Sequence, residues 1–245
     1  MGTKKIFWLG LFGIAMGFLE AAVVIYLREL YYPCGFAFPL PAIPARVLTL
    51  EWLREISTIV MLVSIAWVSG ENFHKRLAVF LFEFAVWDIF YYVFLKVFLG
   101  WPMSLLTWDI LFLIPVAWLG PVLAPVICSV TMIFMAGLIA RAQNRSRGAV
   151  ISAAEWVFIL LGAFVIFISF IYDFSKIIVA GGFLPGILTL ATDAEFQKEV
   201  SVFVPVQYSW RLFAAGELLI LCGLGNFYKR IISAPRARDS TLAHG

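Results

Sequence analysis

Charged residues are scarce in this chain, and their scarcity indicates whether the protein is soluble or lies in a membrane. Only 13% of the 245 residues are Asp, Glu, Lys or Arg, whereas 63% are hydrophobic. A soluble domain is usually about 25% charged and about 45–50% apolar. The composition therefore excludes an ordinary soluble protein and predicts an all-α, polytopic transmembrane helix bundle whose main partner is the lipid bilayer.

Histidine and cysteine are also rare, with two and three copies. His74 falls in a predicted loop and His244 in the C-terminal tail, and no CxxC or Cys/His spacing occurs. Haem or zinc held by histidines inside the membrane is therefore excluded, and we predict no cofactor and no metal. The basic residues are spread over short loops, so nucleic acid is not a predicted partner.

The chain contains several long apolar stretches. A helix needs about 20 apolar residues to cross the hydrocarbon core of a bilayer. Six stretches meet this requirement: Ile6–Leu27, Glu51–Ser69, Leu77–Leu99, Pro121–Ala140, Ala153–Asp173 and Val206–Tyr228. We assign residues 1–228 to a single transmembrane domain and residues 229–245 to a basic cytoplasmic tail. The first stretch is too long for the apolar region of a signal peptide, so it is predicted to be a retained span.

The basic residues alternate between the connecting segments. Eleven of the 18 fall on one side of this arrangement: Lys4, Lys5, Lys75, Arg76, Arg141, Arg145, Arg147, Lys229, Arg230, Arg236 and Arg238. Cytoplasmic loops carry an excess of Lys and Arg. Both termini are therefore predicted to be cytoplasmic, and we expect a multi-pass protein of a cell membrane, of the bacterial inner-membrane type.

The segment Met103–Ala140 is too long for one simple span. It is interrupted by Pro115, Gly120, Pro121 and Pro125. A seventh span would place the Arg-rich segment that follows on the outer side, against the charge rule. We therefore predict that Met103–Leu119 is a re-entrant or interfacial segment on the outer side. One long Pro-kinked helix is the alternative.

Two predicted outer segments have an unusual composition. Leu30–Thr49 contains four prolines and many aromatic residues, which is typical of neither a helix nor a strand and predicts a lid over the bundle. In the fifth loop, Thr192 and Glu195 have the spacing of a capping box. Apolar residues at helical spacing follow them, so this loop is predicted to contain a short amphipathic helix.

Three acids lie deep inside apolar stretches: Glu20, Asp88 and Glu217. A charged side chain near the centre of a membrane helix costs about 2.5–3.5 kcal/mol on insertion scales. Glu20 follows Gly13 and Gly17, and such small-residue faces pack against other helices. We therefore expect Glu20 to point into the bundle.

Asp88, Tyr91 and Tyr92 occupy positions i, i+3 and i+4 of the third span, which places a carboxylate and two phenols on one face. Asp88 lies about 16 Å from the outer end of its helix, near the midplane. The tripeptide Trp-Asp-Ile that contains Asp88 recurs at Asp109, so both acids are candidates for one outer cavity.

Arginines could neutralise these acids. Glu51 and Glu55 flank Arg54 at the predicted start of the second span, where helix capping would explain Glu51 fully and Glu55 in part. We expect Asp88 or Glu217 to pair with an arginine. The predicted site comprises the acids Glu20, Glu55, Asp88, Asp109 and Glu217, the phenols Tyr91 and Tyr92, and the charge partners Arg28, Arg54 and Arg211.

Three functions fit this pattern. Intramembrane carboxylates beneath an acidic outer mouth, which would attract cations, favour proton- or cation-linked transport of a small solute or ion. The first alternative is a membrane-embedded enzyme that acts on a lipid or isoprenoid. In it the carboxylates with Tyr91 and Tyr92 would do acid–base chemistry, and Arg54 or Arg211 would hold a phosphate. The second alternative is a non-catalytic subunit or assembly factor, and association with a second copy or a membrane-complex partner stays open. A purely structural explanation of the same acids is that they form ion pairs which fix the register between helices.

Overall fold

A computed structural model describes residues 2–41, 43–114, 116–145, 150–186, 190 and 193–233 of the chain. Within these residues, seven α-helices surround one β-hairpin. In chain order the elements are α1 Thr3–Tyr31, α2 Ala45–Ser69, α3 Phe73–Leu99, β1 Trp108–Phe112, β2 Trp118–Pro121, α4 Leu123–Arg145, α5 Ala153–Ala180, α6 Ala194–Val200 and α7 Trp210–Ser233. A short 3-10 turn, Leu184–Gly186, precedes α6.

Six of these helices, α1 to α5 and α7, are long and apolar enough to cross a membrane. They confirm the six predicted spans and the all-α bundle, and they identify the chain as a multi-pass membrane protein. Most extend beyond the predicted limits: α2 begins at Ala45 instead of Glu51, and α5 ends at Ala180 instead of Asp173. Hydropathy marks the apolar centre of a span, whereas helical hydrogen bonding continues into the polar flanks.

Local signals set several helix ends. Asn72 caps α3 by accepting a hydrogen bond from the Lys75 N–H at 3.0 Å, and Ser152 with Glu155 forms a capping box at the start of α5. Gly100 ends α3 with a φ of 65°, a left-handed conformation that glycine adopts without strain.

Glycines allow two helix pairs to pack closely. A Cβ at Gly17 of α1 would lie 2.9 Å from the carbonyl oxygen of Trp87, so the Gly13–Gly17 face packs against α3 as predicted. In the α5–α7 pair, a Cβ at Gly162 would lie 2.5 Å from the carbonyl oxygen of Gly216. Both contacts depend on the absence of a side chain.

The region predicted to be re-entrant is a β-hairpin between α3 and α4. Its strands are antiparallel, with Asp109 opposite Gly120, and Gly120 packs on the ring of Phe170 in α5. The alternative of one long Pro-kinked helix is therefore wrong. Pro121 ends the second strand, and Pro125 lies in the first turn of α4, where a missing N–H costs no helical hydrogen bond.

Segments predicted to be cytoplasmic lie at the same end of the bundle. Lys5 donates a hydrogen bond to the Ser69 carbonyl, the Ile151 N–H donates one to His74 Nε2 at 3.2 Å, and Arg230 donates one to the Val150 carbonyl at 2.6 Å. Helix α7 continues through Ser233, so residues 229–233 of the predicted tail are helical. The rest of that tail, together with Arg147 and Thr192, lies outside the described residues.

The predicted orientation can be tested at Cys34, which is exposed in the segment between α1 and α2. With Cys128 and Cys222 replaced by alanine, we expect a membrane-impermeant maleimide to label Cys34 in intact cells. In a Cys34→Ser background, Glu71→Cys at the opposite end should be labelled only after the membrane is permeabilised. The reverse pattern would contradict the N-in, C-in topology.

The α5–α7 contact predicts a second result. Gly162→Ala should destabilise the protein by about 1–3 kcal/mol, because the added methyl overpacks the interface. The measurement is the free energy of unfolding in detergent. Gly137→Ala in α4 is the matched control, since a Cβ there meets no atom within 4 Å. Equal stability of the two variants would mean that the α5–α7 contact is not close.

Candidate functional site: a charged cavity beneath a lid

A cavity of about 250 Å³ lies where α1 ends and α2 begins. Helices α1, α2 and α3 and the hairpin form its walls. Residues of α5 and α6, Leu190 and the segment between α1 and α2 complete the lining. We call this segment, described at 32–41 and 43–44, the lid; the flanking parts of the predicted lid, Leu30–Thr49, are helical. The ionisable residues of its lining are Glu20, Arg28, Tyr32, Glu51, Arg54, Glu55, Asp88, Tyr91, Tyr92 and Asp109. Every predicted site residue except Glu217 and Arg211 is therefore in one place.

Arg28 and Asp109 form the most buried ion pair of the cavity. Arg28 Nη2 donates to Asp109 Oδ1 at 3.0 Å, and the two residues are 6% and 1% exposed. The guanidinium also lies 4.4 Å from the ring centre of Phe36 in the lid and 3.8 Å from that of Trp101. The pair thus joins α1, the hairpin and the lid through one cation.

Arg54 bonds to two carboxylates from different helices. It forms an ion pair with Glu20 of α1, and its Nε donates to Glu51 Oε2 at 2.8 Å. The prediction that Glu51 caps the second span is wrong, because α2 begins six residues earlier and Glu51 lies beyond its first turn. Glu51 and Glu20 are instead held together by the guanidinium between them.

Glu55 binds the hairpin. Its two carboxylate oxygens accept from the backbone N–H of Leu113 at 3.1 and 3.0 Å, just after β1. A backbone N–H away from water needs an acceptor, and Glu55 supplies it. The partial capping role predicted for Glu55 is therefore also wrong. Within the described part of the chain, Glu55 makes no ion pair.

Asp88 is held by α4. Its Oδ2 accepts a hydrogen bond from Ser129 Oγ at 2.7 Å, and Ser129 is fully buried. Tyr91 and Tyr92, on the same helix, line the cavity together with Asp109. The two Trp-Asp-Ile tripeptides therefore do bring their acids to one cavity, as predicted.

Glu217 lies away from the cavity, on α7. It is 7% exposed, and its Oε2 accepts from Thr131 Oγ1 of α4 at 2.9 Å. The expectation that Asp88 or Glu217 pairs with an arginine is wrong among the described residues, because α4 hydroxyls face both acids instead. Arg211 is exposed near the start of α7 and does not line the cavity.

The lid is built from aromatic contacts. Phe36 packs against Tyr32 and Trp101 with ring centres 5.0 and 5.8 Å apart. Burial raises the pKa of the Tyr32 phenol to about 12, so this hydroxyl stays protonated beside the ion pair of Arg28. The lid therefore adds an apolar cover with one hydrogen-bond donor to the charged walls.

Several buried or partly buried polar residues were not predicted from the sequence. Ser129 and Thr131 gave no signal, because a hydroxyl inside an apolar helix usually bonds to its own backbone. Glu83, which does not line the cavity, was not among the predicted site residues. It is fully buried against Gly13, and neither of its oxygens has a hydrogen-bond partner among the described residues. Fully buried acids without a partner are rare.

The lining of the cavity carries an excess of negative charge. Five carboxylates and two guanidinium groups face one space. Among the described residues, no group of three or more His, Cys, Asp or Glu side chains is arranged to hold a metal ion. The fold is that of a six-span membrane protein, and the cavity is lined by more carboxylates than guanidinium groups. Comparison with protein-family models, curated proteins and solved structures gives no match to the chain.

The Arg28–Asp109 pair predicts a large effect on stability. Asp109→Asn should lower the free energy of unfolding by about 3–5 kcal/mol, because the buried guanidinium loses its counter-charge. The matched control is Asp173→Asn. Asp173 pairs with the exposed Lys176 at 3.3 Å, so its loss should cost less than about 1 kcal/mol. Equal losses in the two variants would contradict the structural importance of the buried pair.

Proposed function

We propose that this protein carries out proton- or cation-linked transport of a small solute or ion through the acidic cavity. The observation that supports the proposal is the surplus of acid in the lining. Arg28 is neutralised by Asp109, and Arg54 by Glu20 and Glu51. Glu55 and Asp88 then remain as carboxylates without a basic partner in the described residues. Such intramembrane acids are typical of ion and proton pathways.

The position of the cavity fits an outward-facing binding site. In the predicted topology, the lid and α6 lie on the outer side, and Asp88 lies near the membrane midplane. A cation that enters beneath the lid would meet carboxylates that the protein already orients through Ser129 and the Leu113 N–H. The same oxygens can hold a proton, so loading of a cation and release of a proton would be linked.

The lipid-enzyme alternative has less support. It relied on an arginine free to hold a phosphate group, but Arg54 already bonds two carboxylates and Arg211 lies outside the cavity. The alternative of a complex subunit makes no use of the cavity. Transport uses the cavity and its two acids without a basic partner, and it needs no free arginine.

The test is proton movement in proteoliposomes that contain a pH-sensitive dye. Gradients of Na⁺, K⁺ and tetramethylammonium are imposed in turn, and we expect at least one of them to drive proton flux through the wild-type protein. Asp88→Asn and Glu55→Gln should each lower the initial rate at least tenfold, since they remove the carboxylates that lack a basic partner.

Two acids outside the cavity serve as controls. Glu199→Gln, on the exposed face of α6, should leave the rate unchanged, and Glu217→Gln should reduce it less than Asp88→Asn does. Wild-type flux that persists in both Asp88→Asn and Glu55→Gln would contradict the proposal. Absence of flux with every cation tested would contradict it as well.

A further inference from the structure

The walls around the unpaired acids are mostly apolar. Aromatic rings from α2, α3 and the hairpin line the cavity: Trp52, Phe84, Trp87, Tyr91 and Phe112. Aliphatic side chains of α1 and α2 complete the walls near the lid: Val24, Leu27, Val47 and Leu48. A cavity of this kind offers a ligand both apolar contact area and negative charge.

The charges of the lining select the sign of the ligand. Both guanidinium groups of the lining are already bonded to carboxylates, so an anion would find no uncompensated positive charge in the described lining of the cavity. A cation would instead be attracted by the carboxylates of Asp88 and Glu55. Charge complementarity therefore favours a positively charged ligand over a phosphate or a carboxylate.

The apolar walls select the kind of cation. A small inorganic ion is strongly hydrated and gains nothing from aromatic and aliphatic side chains. A substituted ammonium is weakly hydrated, is attracted to ring faces, and gains about 25 cal/mol for each Å² of apolar surface that it buries. Asp88 and Glu55 also stand on different helices, and each already accepts a hydrogen bond from the protein. Asp88 offers its second oxygen, and Glu55 offers the remaining lone pairs of two oxygens that share one N–H, at separate points of the wall.

We infer that the cargo of this cavity is a small organic cation with an apolar body, held by Asp88 and Glu55 and surrounded by the aromatic walls. The inference rests on the proposed function and deepens it by naming the chemical class of the solute. The cavity volume is about 250 Å³, whereas pockets for drug-sized ligands have roughly 300–1,000 Å³. The solute is therefore expected to be smaller than a typical drug.

The test uses benzyltrimethylammonium as the probe on the purified full-length protein in detergent. Its binding is measured as a shift of the thermal unfolding midpoint and by equilibrium titration of tryptophan fluorescence. We expect saturable binding by benzyltrimethylammonium and no comparable effect of K⁺ at the same ionic strength or of benzyl alcohol, a neutral aromatic control.

Substitutions in the cavity lining test whether benzyltrimethylammonium binds there. Asp88→Asn and Glu55→Gln should each weaken binding at least tenfold, whereas Glu199→Gln should not change it. Ile43→Trp provides a variant that leaves every ion pair intact. Ile43 lines the cavity from the lid, so a larger ring there should fill the space and abolish binding even if the acid variants do not fold.

The outcomes separate this inference from the transport proposal. If K⁺ binds as well as benzyltrimethylammonium and also drives proton flux, transport stands and the organic-cation inference is wrong. If benzyltrimethylammonium binds at Asp88 and Glu55 but no cation drives flux, the ligand class stands and transport is wrong. Equal binding of benzyl alcohol, or unchanged binding in Asp88→Asn and Ile43→Trp, would overturn the inference.

Discussion

The ion pair between Arg28 and Asp109 connects the parts of the molecule that surround the cavity. Arg28 comes from the last turns of α1, and Asp109 from the first strand of the hairpin. The same guanidinium packs on Phe36 of the lid and on Trp101, which follows α3. Taking a guanidinium and a carboxylate out of water is costly unless each finds its counterpart. The position of the hairpin and the position of the lid are therefore linked through one buried charge.

The hairpin explains much of the polarity inside the bundle. A two-stranded sheet leaves backbone groups along its edges, and such groups need acceptors wherever water is absent. Glu55 supplies one acceptor to the Leu113 N–H, and the opposite strand packs through Gly120 on α5. Irregular backbone at this position thus requires polar residues around it. The space left between the hairpin and helices α1 to α3 is the cavity.

Structural and functional roles coincide on the same acids. Glu55 holds the hairpin and Asp88 holds α4 through Ser129, yet both face the cavity. A ligand that uses these oxygens meets groups whose orientation is already set, which reduces the entropy lost on binding. Glu217 shows the contrasting case. It is 7% exposed, close to the 5% of Glu55, but its bond to Thr131 lies away from the cavity and contributes to the contact between α4 and α7.

Several parts of the site followed from the sequence because their signals are local. The glycine spacing of α1 predicted the face that packs on α3, and the repeated Trp-Asp-Ile predicted that Asp88 and Asp109 share a cavity. The role of Glu51 was predicted wrongly, since its capping assignment depended on a helix start that hydropathy placed at Glu51 itself instead of at Ala45. The hairpin was predicted only as an interruption, because proline and glycine exclude a continuous helix without specifying what replaces it.

Hydropathy and spacing are properties of neighbouring residues, and they were sufficient by themselves to determine the six spans, the acids among them and the helix faces that carry small residues. The choice of a counterpart for each charge is not local. Arg28 finds Asp109 eighty-one positions away, and Ser129, not an arginine, faces Asp88. Only the tertiary structure decided these pairings, because which polar groups meet inside a bundle depends on how helices rotate and pack against one another, and no single segment encodes that rotation.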